Sequence, residues 1–468
     1  MTTHRPRTTP APAARRPPAK PPRPGATPPP APPPTPLPPS AAPPALPAPS
    51  AAPPPTTTPT TGPPHPHPKL PPTPQHLTTT ICRDPRHFAA LAGAWDDLYR
   101  RCSAATPFQT HAWLHSWWLS YGQPHRLRLV LVHRNPTPGP GSPPAPADPT
   151  ARPLVAVAPL LLGYRPFPTL LPLGLDISDF CDVLIADDCP QAADALAAGL
   201  RRLARTALID FREVRPGAAV ESVVGRWRGP MRRRADSTCL ELPARPMDEL
   251  LRRLSGASAR NARRKLRRVD ALGVTHHAVP ADQVPAAVTT MLDLHRQQWQ
   301  GRGVTPEHLS PRFADHLARA TRQLVRTGDA VLSEYRIGDD VLVSEVTLLS
   351  RQFAGGYLYG AHPEARRKID IATMLLRQDA TRATATGRSV LSLLRGDEPY
   401  KRHWRPRLVV NRRFLLGRRH LAPALWLRAG HLAVRAALAE TTRTRLPALR
   451  IWRTHLRNLR NHSAPTRI

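Results

Sequence analysis

The chain has 468 residues, 62 of them proline, and a formal net charge of +34 from 67 basic and 33 acidic side chains. No run approaches the ~18 consecutive apolar residues of a membrane-spanning helix, and no apolar stretch follows the basic start as in a secretory leader. Five cysteines, Cys82, Cys102, Cys181, Cys189 and Cys239, are odd in number and lack paired spacing; this argues against a zinc site or disulfide framework and for a reduced, cytoplasmic protein.

The charge is unevenly spread. Residues 1–79 are dominated by Pro, Ala and Thr and contain no acid. Such a segment buries too little surface to offset its ordering entropy, so a disordered, partly polyproline II arm is expected. Only five of the 67 basic residues are lysines, so the arginine excess reads partly as coding bias. An anionic membrane surface or a phosphate-bearing ligand explains the charge as well as a nucleic acid does.

A first unit is expected over 80–230. His87–Arg101 has Phe88, Leu91, Trp95 and Leu98 at helical spacing. Thr110 caps a second helix carrying Trp113, Leu114, Trp117, Trp118 and Tyr121, an aromatic cluster suited to a core. Leu127–His133 and Leu154–Gly163 read as neighbouring strands, joined by a Pro/Gly-rich loop, 135–150, expected to be disordered. Asp176, Asp179 and Asp182 follow three apart, which suits a metal or a base but more often marks capping carboxylates. Ala193–Leu203 reads as a helix and Ala207–Val214 as a strand.

A second unit is expected over 237–415. A strand begins at Thr238 and a helix at Met247, and 252–268 then carries eight cations in seventeen residues. Like charges three and four apart repel along a helix; either an anionic partner relieves this, or the arginines form a solvated face. Val274–Val279 is a strand, Ala286–Gln300 a helix with His295 packed inward, and Pro311–Gly328 a helix closed by its glycine. Ala330–Ile337, Val341–Leu349 and Phe353–Tyr359 form a meander whose first turn is Gly-Asp-Asp. Glu345 shares a strand face with Val343 and Thr347, so burial should raise its pKa and suit it to general-base work; pairing with an arginine is the competing reading. A helix Ile369–Thr386 leads to the strand Val390–Leu394. Gly396 ends that strand in a turn holding Asp397, Glu398, Tyr400, Lys401, His403 and Trp404, where Pro399 is expected to keep Glu398 out of a helix.

Several motifs carry a resemblance. They are Thr-Pro-Phe-Gln-Thr-His-Ala-Trp (106–113), Ser-Asp-Phe-Cys-Asp (178–182), Ser-Ala-Arg-Asn-Ala-Arg (258–263), His295 to Trp299, Tyr359 to Pro363, and Leu-Arg-Gly-Asp-Glu-Pro-Tyr-Lys-Arg-His-Trp (394–404). In this order the chain resembles GNAT-like acyltransferases associated with cellulose and other envelope polysaccharides, similar in fold to the peptidoglycan-bridge aminoacyltransferases. The resemblance implies an α/β (α+β) fold of two tandem GNAT-like units with mixed, mainly antiparallel sheets. It also implies acetyl-CoA or another acyl-CoA as co-substrate, no metal, and an envelope saccharide or its precursor as acceptor. In that scheme Glu345 is the base with Glu398 second, and Tyr359 or Tyr400 protonates the leaving thiolate. Arg260, Arg263 and Lys401 bind anionic groups. A non-catalytic scaffold and an aminoacyl-tRNA-dependent transferase are the alternatives. One departure stands out: Ile369-Asp370-Ile371 replaces the Ser-Pro-Gly turn usual where the CoA pyrophosphate meets a helix N-terminus.

The tail, 420–462, is expected to be helical and basic. Leu421–Ala439 comes first; then Leu449, Trp452, Leu456 and Leu459 form an apolar stripe beside Arg450, Arg453, Arg457 and Arg460. Such a helix fits an anionic bilayer, with docking on its own domain as the alternative. The expected partners are thus the acyl donor, the acceptor and the inner membrane face, rather than nucleic acid.

Overall fold

A computed structural model of the chain describes residues 76–135, 152–299, 305–396 and 398–445. The expected arm up to residue 75, nearly all of the loop 135–150, Asp397 and the arginine stripe beyond 445 lie outside the described residues. Strands form at β1 (Leu77–Cys82), β2 (Leu127–Arg134), β3 (Leu154–Tyr164), β4 (Pro168–Pro172), β5 (Leu184–Ile185), β6 (Leu208–Val214), β7 (Met231–Pro243), β8 (Thr275–Ala278), β9 (Ala330–Ile337), β10 (Asp340–Leu349), β11 (Phe353–Ala361), β12 (Val390–Arg395) and β13 (Arg407–Leu416).

They join one mixed sheet in the order β1-β2-β3-β4-β6-β13-β7-β12-β11-β10-β9-β8, with β5 beside β3. The order is nearly a mirror image about its middle. Each half is an antiparallel meander followed by one parallel step, β4 to β6 in the first and β11 to β12 in the second. β13 returns from the end of the chain to pair with β6, while β7 pairs with β12 and with β13. The fold is therefore the expected α/β arrangement of two tandem halves, and its last strand completes its first half.

The core crosses both halves. The helices His111–Tyr121 and Pro311–Thr327 pack together, with Ser116 Oγ donating to the His316 carbonyl at 2.9 Å and Trp113 meeting the His316 ring edge-on at 4.7 Å. Trp95 and Trp113 are fully buried, as the aromatic pattern foretold, and their indole N–H groups bond Gln109 O and Ser178 Oγ, each at 2.9 Å. On the basic helix Gly256–Ala271, Ala259, Ala262, Leu266 and Val269 face inward and the arginines face solvent. This spacing is an ordinary amphipathic stripe.

Some local readings change. The expected helix His87–Arg101 steps at Leu91, whose N–H takes the Phe88 carbonyl three residues back, giving Pro85–Ala90 and Ala92–Arg100. β7 begins at Met231 rather than Thr238, and β13 was not foreseen. Exposed arginines in β7, and half-buried, ion-paired arginines in β13, erase the alternation that marks a half-buried strand. Pro399 opens a short helix, Pro399–Arg402, with Glu398 as its N-cap residue; a proline's fixed φ suits the first helical position, where its missing N–H costs nothing.

Candidate active site

A cavity of about 580 Å³ opens where β11 and β12 part. The two strands pair only at Phe353–Val390, Ala354–Leu391 and Gly355–Ser392. Beyond Gly355, β12 turns away. Leu394 adopts φ 54°, its N–H bonds Ser392 Oγ at 3.2 Å, and the register with β7 shifts between Ser392 and Arg395. A left-handed non-glycine residue costs about 1–3 kcal/mol and persists only where its surroundings over-determine it. Here Arg395 supplies the anchor, its N–H and Nε reaching the Asp179 carboxylate at 3.2 and 2.6 Å and its Nη1 reaching Glu213 at 3.4 Å. On its other side β11 carries a bulge, because pairing with β10 passes from Val346–Leu358 to Thr347–Gly356 and leaves Tyr357 as the extra residue.

Two carboxylates form one wall of this opening. Glu345 projects from β10 and Asp379 from the helix Ile371–Ala385, exposed by 3% and 5% respectively. A Cβ placed on Gly356 would stand 2.6 Å from Glu345 Oε1 and 3.0 Å from Asp379 Oδ2, so both acids converge on that bare Cα. Asp379 Oδ1 accepts from Thr347 Oγ1 at 2.8 Å, and Arg382 stands 3.8 Å away. Glu345 Oε2 is buried with no hydrogen bond among the described residues, and the buried Tyr335 hydroxyl lies close to it, short of hydrogen-bond geometry. Burial, reinforced by the Asp379 charge, pushes the Glu345 carboxyl well above the usual range. Burial also raises Asp379, against the pull of Thr347 and Arg382. Two such acids cannot both ionise cheaply, so the charge of either one makes the other hold its proton more tightly.

Tyr359, Glu398, Tyr400 and Lys401 line the same cavity, as do His295, Trp299, His308 and Trp404. Gly396 has φ 110°, and a Cβ added there would stand 2.5 Å from a Glu398 carboxylate oxygen, which disfavours a side chain at this position. Lys401 is buried, and its ammonium is engaged by Arg395 O at 2.8 Å and Glu398 at 2.9 Å, so it braces the cavity wall. Burial raises the Tyr359 phenol. His295 Nδ1–H donates to Tyr359 O at 2.8 Å, leaving Nε2 to face His308 Nδ1 at 3.3 Å. Burial lowers both rings, His308 to about 4, and keeps them neutral.

Arg260 and Arg263 stand outside the cavity, exposed on the outer face of their helix. Lys265 of that helix instead pairs with Asp370 Oδ2 at 2.7 Å, beside the start of the helix Ile371–Ala385. Asp370 Oδ1 caps the helix Ile371–Ala385 through the Thr373 N–H at 3.0 Å. Its charge is thus matched rather than presented to a phosphate. The three acids at 176, 179 and 182 also have internal uses. Asp182 accepts N–H groups from Val183, Ala219 and Val220, Asp179 holds Arg395, and Asp176 pairs with Arg212 at 3.2 Å.

Sequence reasoning passed over Asp379, Gly356 and His308. For Asp379 a signal existed: it is an acid in the buried stripe of Leu375, Leu376, Ala380 and Ala383.

Residues 256–402 match the family model described as an acetyltransferase (GNAT) domain. The matched stretch contains both converging carboxylates and the parted strands. No curated protein matches the chain. Among solved structures it is similar to FemX, at 12% identity over 69% of this chain and 95% of that one, with a TM-score of 0.47. It is also similar to the C-terminal domain of a putative lysylphosphatidylglycerol synthetase from Agrobacterium fabrum, at 12% identity over 74% and 97% of the two chains, with a TM-score of 0.43. A tandem GNAT protein from the clavulanic acid biosynthesis pathway gives 12% identity over 72% and 98%, with a TM-score of 0.35.

Proposed function

We propose that this protein is an acyltransferase that moves an acyl group from a CoA thioester to a hydroxyl or amine of an envelope saccharide or its precursor. The observation that carries the reading is the Glu345–Asp379 pair beside the opening between β11 and β12, within the GNAT-type domain. A buried pair in which one acid holds its proton retains one basic site, which takes the acceptor's proton as its oxygen or nitrogen attacks the thioester carbon. Past Gly355, β11 has no strand partner on its β12 side among the described residues, so its backbone is available to donate to the developing oxyanion. As the C–S bond breaks, Tyr359 or Tyr400 supplies the thiol proton.

The residues fit an acyl-CoA. The N–H groups of Ile371 and Ala372 have no acceptor among the described residues, and Lys265 neutralises Asp370 beside them. A pyrophosphate there would meet a helix N-terminus and a lysine. Trp299, Tyr357 and Trp404, with Asp176 and Glu398, give the cavity the mixture of ring faces and acceptors that suits a hydroxyl-rich substrate. No described helix is long and apolar enough to cross a membrane, and the reading places the protein in the cytoplasm, against the inner membrane face.

The test is thermal unfolding of the full chain with acetyl-CoA and longer acyl-CoAs, followed by thiol release with candidate acceptors. A ligand at about 100 times its Kd should stabilise the fold by about 2.7 kcal/mol. Glu345→Gln should keep that shift and lose thiol release. No shift with any CoA overturns the donor, and unaltered release in the variant overturns the base.

A further inference from the structure

The helix Ala422–Arg445 docks through side chains of its first half. Leu425 is buried, and Leu421, Ala424, Ala429 and Leu432 pack with it on Leu208 and Leu415. From Ala433 to Leu438 every side chain is exposed. Leu427, Val434 and Leu438, at i, i+7 and i+11, form one stripe exposed by 64%, 58% and 60%, and Trp426 beside it is 41% exposed with Arg232 stacked 4.0 Å over its ring. An ordered apolar stripe of this length facing water marks a surface that something covers.

Its border suggests what. A cavity of about 640 Å³ lies against the stripe, lined by Arg165, Phe167, Leu427, Arg428, His431 and Arg435 and by no acid. Arg428 is only 5% exposed; it stands 3.7 Å from Asp210, and its Nε is buried with no hydrogen-bond partner. Beyond Arg445 the chain continues for 23 residues with five arginines and no acid. Apolar side chains flanked by arginines, with a tryptophan at the edge, suit the boundary between phosphate headgroups and acyl chains. A second copy suits it poorly, since a two-fold contact through the stripe would set Arg165 and Arg435 of each copy against like charges.

We infer that this face docks on an anionic phospholipid surface, with the stripe in the acyl boundary and a headgroup phosphate in the arginine-lined cavity. The inference stands independently of acyl transfer, but it bears on it. Arg165 is 3.8 Å from Asp176, which lines the candidate active site, so the docked face adjoins the mouth of that cleft. An amphiphilic acceptor held in the bilayer would reach the cleft without leaving it.

The experiment is co-sedimentation of the full chain with vesicles of phosphatidylglycerol in phosphatidylcholine and with phosphatidylcholine alone. Two double variants accompany it, Val434→Asp with Leu438→Asp, and Arg165→Gln with Arg435→Gln, each checked for native thermal unfolding. The wild-type chain should pellet only with the anionic vesicles. The aspartate pair should abolish this, and the glutamine pair should weaken it about thirtyfold, two arginine charges near the surface being removed. Failure of the wild-type chain to pellet, or equal pelleting with neutral vesicles, overturns the proposal. So does wild-type binding by both variants, which assigns the affinity to residues beyond 445. A dimer in sedimentation velocity that the aspartate pair dissolves overturns it in favour of a second copy.

Discussion

Glu345 and Asp379 reach the same bare Cα from different elements, one from the middle strand of a meander and the other from the helix packed over it. Gly356 is therefore a spatial requirement of the pair. Gly356→Ala should place a methyl group inside contact distance of both carboxylates, forcing them apart. The expected cost is about 1–3 kcal/mol, as for other overpacked sites, measured as a lower urea midpoint at unchanged slope. Thiol release should fall much further than stability, because the base is displaced as well as strained.

The pair also sets a pH dependence of stability. A carboxyl whose folded-state pKa lies above its unfolded value contributes stability that is complete below the unfolded value, about 4, and lost as pH rises through the folded one. Asp379 loses its contribution as pH rises to about 6, and Glu345, raised by burial and by the Asp379 charge, loses its own as pH rises through its elevated value. Urea midpoints should thus fall more steeply as pH rises above about 4 in the wild-type chain than in Glu345→Gln, the difference isolating this pair from other titrating groups. The same variant should lose about 10²–10⁴-fold in transfer rate. A rate profile of the wild-type chain should rise with an apparent pKa belonging to the pair rather than to either acid.

At the start of the helix Ile371–Ala385, charge and capping can be separated. Asp370→Asn keeps the cap on the Thr373 N–H while removing the charge that faces Lys265. Acyl-CoA should then bind about two- to fivefold more tightly, since a charge near a helix terminus is worth about 0.3–1 kcal/mol. Lys265→Ala leaves the Asp370 charge unmatched and should weaken binding by a similar factor. Titration calorimetry with acetyl-CoA and a longer acyl-CoA checks both signs.

These sites show where sequence reasoning reached its limit. The burial of Glu345 was legible because strand alternation places it beside apolar neighbours whatever the tertiary structure. Its partner was not, because the contact with Asp379 arises only when the helix packs across the sheet, and no local period encodes that. Gly356 looked like an ordinary strand residue for the same reason. The dense arginines drew attention to Arg260 and Arg263, whereas the helix presents those side chains to solvent and pairs Lys265 with Asp370. β13 was lost to its arginines, two of them drawn into ion pairs with Glu221 and Asp210, although it is the strand that links the two halves. The meander of β9, β10 and β11, and the aromatic helix at 111–121, were legible because their apolar pattern is also their burial pattern.

That central strand carries a buried pair with a predictable cost. Asp210 on β6 is fully buried, with Arg413 of β13 bonded to both its oxygens, Nε to Oδ1 at 2.7 Å, and Arg428 of the C-terminal helix 3.7 Å away. One carboxylate thus fastens the first half, the returning strand and the helix that follows. Removing a single partner from such a pair leaves an uncompensated charge indoors, which costs about 3–5 kcal/mol. Asp210→Ala leaves two, and should lower the urea midpoint by at least that equivalent. The accompanying Arg413→Met and Arg428→Met changes should recover much of the loss, because the penalty lies in the unpaired guanidinium groups rather than in the missing acid. Hydrogen exchange should show early deprotection of the helix Ala422–Arg445 in Asp210→Ala, while protection across β9, β10 and β11 stays as in the wild-type chain.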